Sequence, residues 1–129
     1  MVFDGCVVSE IGDNCLMGKK QIPDEVGQGA LADLEHQTPM AVRYLLQRIE
    51  TSNPGHSVEL RIPPYGAIQC IAGLNHRRGT PPNVVEMKPA DFLALCRGEL
   101  LWQDAIDSGK LIASGTLSDE LQRIFPLEI

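Results

Sequence analysis

The chain has 129 residues, a net charge of −6 and a sequence pI near 4.9, which together fit one small acidic domain. This acidic balance argues against broad binding to nucleic acids or to anionic membranes, because both need a basic surface. Hydrophobic residues make up 43% of the chain, so a single core can form without disulfides or metal ions.

The four cysteines stand at positions 6, 15, 70 and 96, with neither a CxxC motif nor a neighbouring histidine cluster. This spacing predicts no zinc site, and we expect Cys70 and Cys96 to be buried free thiols. The sequence has no run of about 18 apolar residues, and residues 1–20 lack the basic start and apolar run of a signal peptide. We therefore expect a cytoplasmic protein without integral membrane insertion.

Residues 1–20 show no sustained periodicity, and terminal segments often lack order, but Phe3, Val7 and Val8 favour burial, so we expect a partly ordered N-terminal arm. We expect one domain over residues 21–129. Two helices are predicted at its start. The first covers residues 22–37 and has acidic residues in its first turn. The second is capped by Thr38, has Pro39 at its first position, and ends at Asn53 before Pro54.

Strands are predicted next. Val58, Leu60 and Ile62 alternate with polar residues, the pattern of a half-buried strand, and Pro63-Pro64 forces a turn after it. Further strands are predicted over residues 67–72, 83–87 and 110–114.

Helices return near the C-terminus. Pro89 suits the first position of a helix that Gly98 closes. A second short helix, ended by Gly109, has an apolar face predicted from Leu101, Trp102, Ala105 and Ile106. Ser118 is predicted to cap a last helix. Helices at both ends of the chain with strands between them are typical of an α+β fold.

The C-terminal half carries an ordered set of residues, Asp91-Phe92, Gly98, Ala105 and the strand from Gly109-Lys110-Leu111 to Gly115. This ordered set resembles the sterol carrier protein 2 family. Upstream, the strings RIPPYGAIQC and NHRRGTPPNVVEM look like a narrower actinobacterial branch, the bacterial orthologues of the sterol carrier fold. The resemblance covers roughly residues 57–129.

The resemblance implies an α+β domain whose mixed or antiparallel sheet of four or five strands is covered on one face by helices. It also implies a tunnel between sheet and helices for fatty acyl or sterol-like ligands. A tunnel and a packed core use the same apolar side chains, and the sequence leaves both readings open. The candidate lining residues are Leu60, Ile62, Ile68, Val85, Met87, Phe92, Leu95, Trp102, Ile106, Leu121 and Phe125.

A second candidate is the loop that carries Arg77 and Arg78, beside His76. Two guanidinium groups can clamp a carboxylate or phosphate head group through paired hydrogen bonds. The alternative is a solvated loop whose arginines pair with some of the 17 acidic residues, and such surface pairs contribute little.

Catalytic signals are missing from the sequence. The three histidines have no nucleophile at a motif spacing, and there is no GxSxG, HExxH, P-loop or dinucleotide fingerprint. We therefore expect no catalytic residues, no metal ligands and no cofactor. The first hypothesis is a carrier of apolar ligands, a monomer or homodimer. The alternative is an accessory or interaction module with a closed core, and a free-standing enzyme is a weaker third.

The arginine loop generates a prediction about ligand choice. Replacing Arg77 and Arg78 together by alanine is expected to weaken fatty-acid binding and to leave sterol binding unchanged, because only the acid offers a carboxylate to a guanidinium group. Titration of the double variant with both ligand types measures this. An equal loss for the two ligands would contradict the prediction.

Overall fold

The computed structural model describes residues 21–73 and 83–128, so the predicted N-terminal arm lies outside the described residues. Within these two ranges the helices are α1 (Asp24–Leu31), α2 (Leu34–Ser52), α3 (Pro89–Arg97), α4 (Trp102–Asp107) and the 3-10 helix Ser118–Ile124. The strands are β1 (Val58–Ile62), β2 (Gly66–Cys70), β3 (Val84–Met87) and β4 (Leu111–Ser114). The predicted α+β class is confirmed.

The described strands form one mixed sheet with the order β2-β1-β3-β4. β1 pairs antiparallel with β2 and parallel with β3, and β3 pairs antiparallel with β4. The pairing places Ile68, Leu60, Val85 and Ala113 side by side in one row across all four strands. We call these four residues the inner row.

The two faces of the sheet differ in polarity because side chains alternate along each strand. The face toward the helices is buried and carries Val58, Leu60, Ile62, Ile68, Cys70, Val85, Met87 and Leu111. On the opposite face Arg61 pairs with Glu59 at 3.2 Å and with Glu86 at 3.8 Å. The helices therefore cover one face, as the resemblance implied.

The first two helices depart from their predicted boundaries. α1 ends at Leu31 and α2 begins at Leu34, so the residues predicted to end the first helix belong to the second. Gln37 interrupts α2 with a φ of −130° and a ψ of 32°, just before Pro39. Proline inside a helix lacks the N–H donor and crowds the preceding turn, which explains this kink. Thr38 does not cap the helix, because its hydroxyl donates backward to the Leu34 carbonyl at 2.6 Å.

Close contact between α1 and α2 depends on a glycine. A Cβ atom on Gly27 would clash with the ring of Tyr44, so glycine allows α1 to lie directly against that ring. The Tyr44 hydroxyl donates to Asp24 Oδ1 at 2.8 Å. Burial, and then the hydrogen bond to the Asp24 carboxylate, raises the pKa of Tyr44. The two helices are thus held by one ring that is apolar on its face and polar at its tip.

The C-terminal elements follow the predicted order with three local corrections. Gly98 closes α3 in the left-handed region at a φ of 80°, as predicted. Leu101 is wrong as a member of the apolar face, because it precedes α4 in extended conformation and is 65% exposed. The last helix is a 3-10 helix, the tighter form typical of short segments, and the Ser118 hydroxyl donates to the Gly115 carbonyl instead of capping it.

The strand predicted over residues 67–72 is also shifted. β2 runs from Gly66 to Cys70, because Ile71 takes a φ of 69° and leaves the extended conformation. The Ile71 N–H donates to the Asn53 carbonyl at 2.8 Å, which ties the end of β2 to the end of α2.

Asn83 connects three parts of the fold although its side chain is almost fully buried. Its Nδ2 donates to the Ser57 carbonyl at 2.7 Å, and its Oδ1 accepts from the Leu117 N–H at 2.7 Å. Its backbone carbonyl accepts from the Glu59 N–H at 2.9 Å. One residue therefore fixes the starts of β1 and β3 against the segment that leads into the 3-10 helix.

We expect Asn83→Ala to lower the free energy of unfolding by about 2–4 kcal/mol, because the Ser57 carbonyl and the Leu117 N–H both lose their hydrogen-bond partner. Urea denaturation followed by circular dichroism measures the loss. The control is Gln103→Ala, since the Gln103 amide bonds to Asp107 on an exposed helix surface. A loss for Asn83→Ala no greater than that of the control would contradict this role.

Candidate functional site

The eleven apolar residues predicted to line a tunnel come together in one hydrophobic cluster between the sheet and the helices. Nine of them are buried, and Ile106 and Phe125 are half-buried at its margin. The structure thus brings the predicted set together. Arg77 and Arg78 lie outside the described residues, and their role as a head-group clamp stays a prediction.

Three aromatic residues of this set form two ring contacts, both with Phe125, at the α4 side of the cluster. The rings of Trp102 and Phe125 are stacked, with centroids 6.2 Å apart and an interplanar angle of 23°. Phe92 meets Phe125 edge to face at 6.3 Å. Both geometries are favourable for aromatic rings, so this corner of the core is well defined.

A groove of about 250 Å³ opens at the edge of the sheet away from α4, between α2 and the outer strand β2. Leu46 and Ile68 lie in this groove and also belong to the hydrophobic cluster, so the floor of the groove is the edge of the core. Gly66 lines the groove without a side chain, and a Cβ there would lie 3.2 Å from Leu46 Cδ1 and so narrow the space between them. The complete lining is Gln21, Ile22, Arg43, Leu46, Gln47, Glu50, Gly66, Ala67 and Ile68. We call this feature the α2–β2 groove.

The rim of the α2–β2 groove is polar, and its polar groups differ in how many of their hydrogen bonds are already formed. The Gln47 amide is paired twice with the backbone of Ile22, at 2.7 Å and 3.0 Å, which fixes the chain entering α1 against α2. Arg43 donates from Nε to the Tyr65 carbonyl at a long 3.4 Å. Its guanidinium group has no carboxylate partner among the described residues and retains donors for an anion.

Two other hollows among the described residues are more polar. One lies at the end of α1 and is lined by Gln28, Arg97 and Glu99 together with Leu31, Ala32 and Leu127. The other lies on the outer side of β2 and includes Glu50, His56, Glu59 and Gln69. Apolar ligands need largely apolar walls, so the α2–β2 groove is the better candidate of the three.

The two described cysteines are buried free thiols, as predicted. Burial, with a smaller effect from the Glu50 charge, raises the pKa of Cys70 to about 11. Burial also raises the pKa of Cys96 well above its ordinary value. A nucleophilic cysteine needs a lowered pKa, so neither thiol is prepared for covalent catalysis.

The described histidines have ordinary surface partners. His36 Nδ1 lies 2.9 Å from Asp33 Oδ1, and His56 Nδ1 lies 2.8 Å from Gln69 Oε1, both at exposed positions. Within residues 21–73 and 83–128, no group of three or more histidine, cysteine or acidic side chains could hold a metal ion. In the same part of the chain, no helix has both the length and the hydropathy to span a bilayer.

Sequence reasoning missed the α2–β2 groove. Among its lining residues only Ile68 was predicted as part of a site, and Arg43 was overlooked. The groove depends on the distance between a helix and an outer strand that are adjacent in space, and no spacing in the sequence reports that distance. Gly66 in a strand was the one available signal, since glycine there marks close approach or missing side-chain volume.

These features define a class: a small α+β domain in which helices and one face of a mixed sheet enclose an aliphatic and aromatic interior. The model of the family described as "Bacterial SCP ortholog" matches residues 35–127, well over half of the chain. The chain therefore belongs to this family of bacterial sterol carrier protein orthologues. The actinobacterial branch within it stays a prediction.

Comparison with solved structures finds the crystal structure of Sterol Carrier Protein 2 Like 2 (SCP2-L2) from Aedes aegypti. The two sequences are 18% identical, the match covers 66% of this chain and 96% of that chain, and the TM-score is 0.44. No curated protein matches the sequence significantly.

Proposed function

We propose that this protein is a carrier that binds an apolar molecule of the fatty acyl or sterol-like class, with the apolar chain in the α2–β2 groove. The observation that carries the proposal is that Leu46 and Ile68 belong both to the groove and to the core. A ligand lying there adds its own apolar surface to that of the interior. Membership in the sterol carrier orthologue family supports the same class of ligand.

The size of the groove limits how much of a ligand it can hold. Its volume of about 250 Å³ lies just below the roughly 300–1,000 Å³ of ordinary small-molecule pockets. Each buried methylene contributes about 0.8 kcal/mol, and association itself costs several kcal/mol, so a short buried chain gives only modest net affinity. Modest affinity suits a carrier, which must release what it binds.

A longer ligand would extend from the groove into the interior. Its path passes Ile68 and then the other predicted lining residues, which would have to separate from one another. We keep those residues as the proposed walls of the deeper part of the site. We also keep Arg77 and Arg78 as a proposed contact for an anionic head group.

Arg43 is a further proposed contact for a ligand carboxylate. It stands at the rim of the α2–β2 groove with guanidinium donors that the described residues leave free. Two groups, Leu46 and Ile68, would hold the chain, and Arg43 would hold the acid. Charge-assisted hydrogen bonds of this kind are about twice as strong as neutral ones.

The closed interaction module remains the second candidate, and two observations favour it. The predicted lining residues already pack in a single cluster, and β2 and β4 are the outer strands of the described sheet. Outer strands offer unpaired backbone groups to a partner. Under this alternative the protein takes up no ligand and acts through an edge of its sheet.

Filling the groove tests the carrier proposal. Gly66→Val places methyl groups toward Leu46 and so takes up part of the groove. We expect decanoate binding to weaken about tenfold, because roughly two methylene groups of the ligand lose their buried contacts. The matched control is Gly29→Val, because a Cβ at Gly29 has no neighbour within 4 Å. Isothermal titration calorimetry measures both variants after thermal melts show that they are folded. Wild-type affinity in Gly66→Val would overturn the groove as the site.

The head-group contact has its own test. We expect Arg43→Gln to weaken decanoate binding about tenfold and to leave 1-decanol binding unchanged, because only the acid is ionised at neutral pH. Arg123→Gln is the control, since Arg123 is exposed and pairs with Glu120 on the 3-10 helix. Equal effects of the two substitutions on decanoate would show that Arg43 acts only through net charge.

A further inference from the structure

The indole N–H of Trp102 is buried and has no hydrogen-bond acceptor. Trp102 is 8% exposed, and its Nε1 is the one fully buried side-chain polar atom without a partner in the described part of the chain. The buried amide of Asn83, by contrast, is paired through both of its polar atoms. Buried tryptophan N–H groups usually have a partner, so an unpaired one requires an explanation.

The surroundings of this nitrogen define which acceptor would fit. The indole ring of Trp102 stacks on Phe125, and Phe125 in turn meets Phe92 edge to face. A single N–H donor among rings suits a neutral oxygen. A carboxylate there would lose its hydration and gain one hydrogen bond from an uncharged donor, which is unfavourable for a buried charge.

The position of Trp102 also separates it from Arg43. α4 packs against β4, and α2 packs against β2, which are the two outer strands of the described sheet. Three strand spacings of about 4.8 Å each lie between them. The indole N–H is therefore a second polar position, at the other side of the same interior.

We propose that Trp102 Nε1 donates a hydrogen bond to a neutral oxygen of a bound apolar molecule, such as a hydroxyl, a ketone or an ester carbonyl. The inference rests on the proposed carrier function and adds a chemical preference to it. The interior then offers a neutral donor for alcohols and esters at Trp102, whereas acids are bound at Arg43. Binding of such a ligand forms one hydrogen bond and changes no covalent bond.

The wild-type protein allows a direct test, because Trp102 is the only tryptophan and gives a single indole resonance in a ¹H–¹⁵N spectrum. We expect titration with 1-decanol to move this resonance downfield as the hydrogen bond forms. Decanoate at neutral pH is expected to leave it in place while it shifts the resonances of residues in the α2–β2 groove. The measurement needs no substitution and so does not depend on the folding of a variant.

A substitution then measures the energetic effect. Trp102→Phe keeps an aromatic ring for the stack on Phe125 and removes the donor. We expect it to weaken 1-decanol binding about three- to tenfold, as for the loss of one net hydrogen bond, and to weaken decanoate binding less. Arg43→Gln should show the opposite pattern, which makes each variant the control for the other.

The outcomes separate this inference from the carrier proposal. If 1-decanol binds while the indole resonance stays in place and Trp102→Phe binds as well as wild type, the assignment to Trp102 is wrong and the carrier proposal stands. In that case the N–H is paired with water. If neither 1-decanol nor decanoate binds to the wild-type protein, both proposals are overturned.

Discussion

The contact on which the rest of the structure depends is the inner row of the sheet, Ile68, Leu60, Val85 and Ala113. β1 is flanked by a strand on each side, so Leu60 is enclosed by Ile68 and Val85 and has no exposure to solvent. The opposite face carries the Glu59–Arg61–Glu86 charges, which would be costly to cover. This difference decides which face receives the helices. It also decides where the proposed apolar ligand would contact the interior.

The two sites proposed for ligand contact lie where the inner row ends. At β2 the row ends in Ile68, two residues after Gly66, and both residues line the α2–β2 groove. At β4 the row ends in Ala113, a small residue, and α4 brings Trp102 to this side of the core. Leu60 and Val85 in the middle of the row are fully buried, whereas Ile68 and Ala113 at its ends keep some exposure to solvent. A carrier with a compact fold needs such places, because a fully packed interior has no room for a ligand.

Much of the fold could be predicted because its signals are local. The alternation of Val58, Leu60 and Ile62 and the left-handed stop at Gly98 each depend on a few neighbouring residues, and both were correct. The errors occurred where distant parts meet. The early end of β2 at Ile71 goes with the hydrogen bond that ties Ile71 to Asn53 at the end of α2, whereas the kink at Gln37 has a local cause in Pro39. Asn83 and Arg43 were missed because their partners are 22 to 34 residues away in the chain.

The proposed carrier function requires that the interior of this domain accept an apolar guest. Native mass spectrometry of the gently purified protein, before and after incubation with decanoate, tests it most directly. We expect a bound acyl species that adds the mass of one ligand to the chain and is lost on collisional activation. A spectrum that shows only the mass of the protein, both as purified and after incubation with excess ligand, would contradict it.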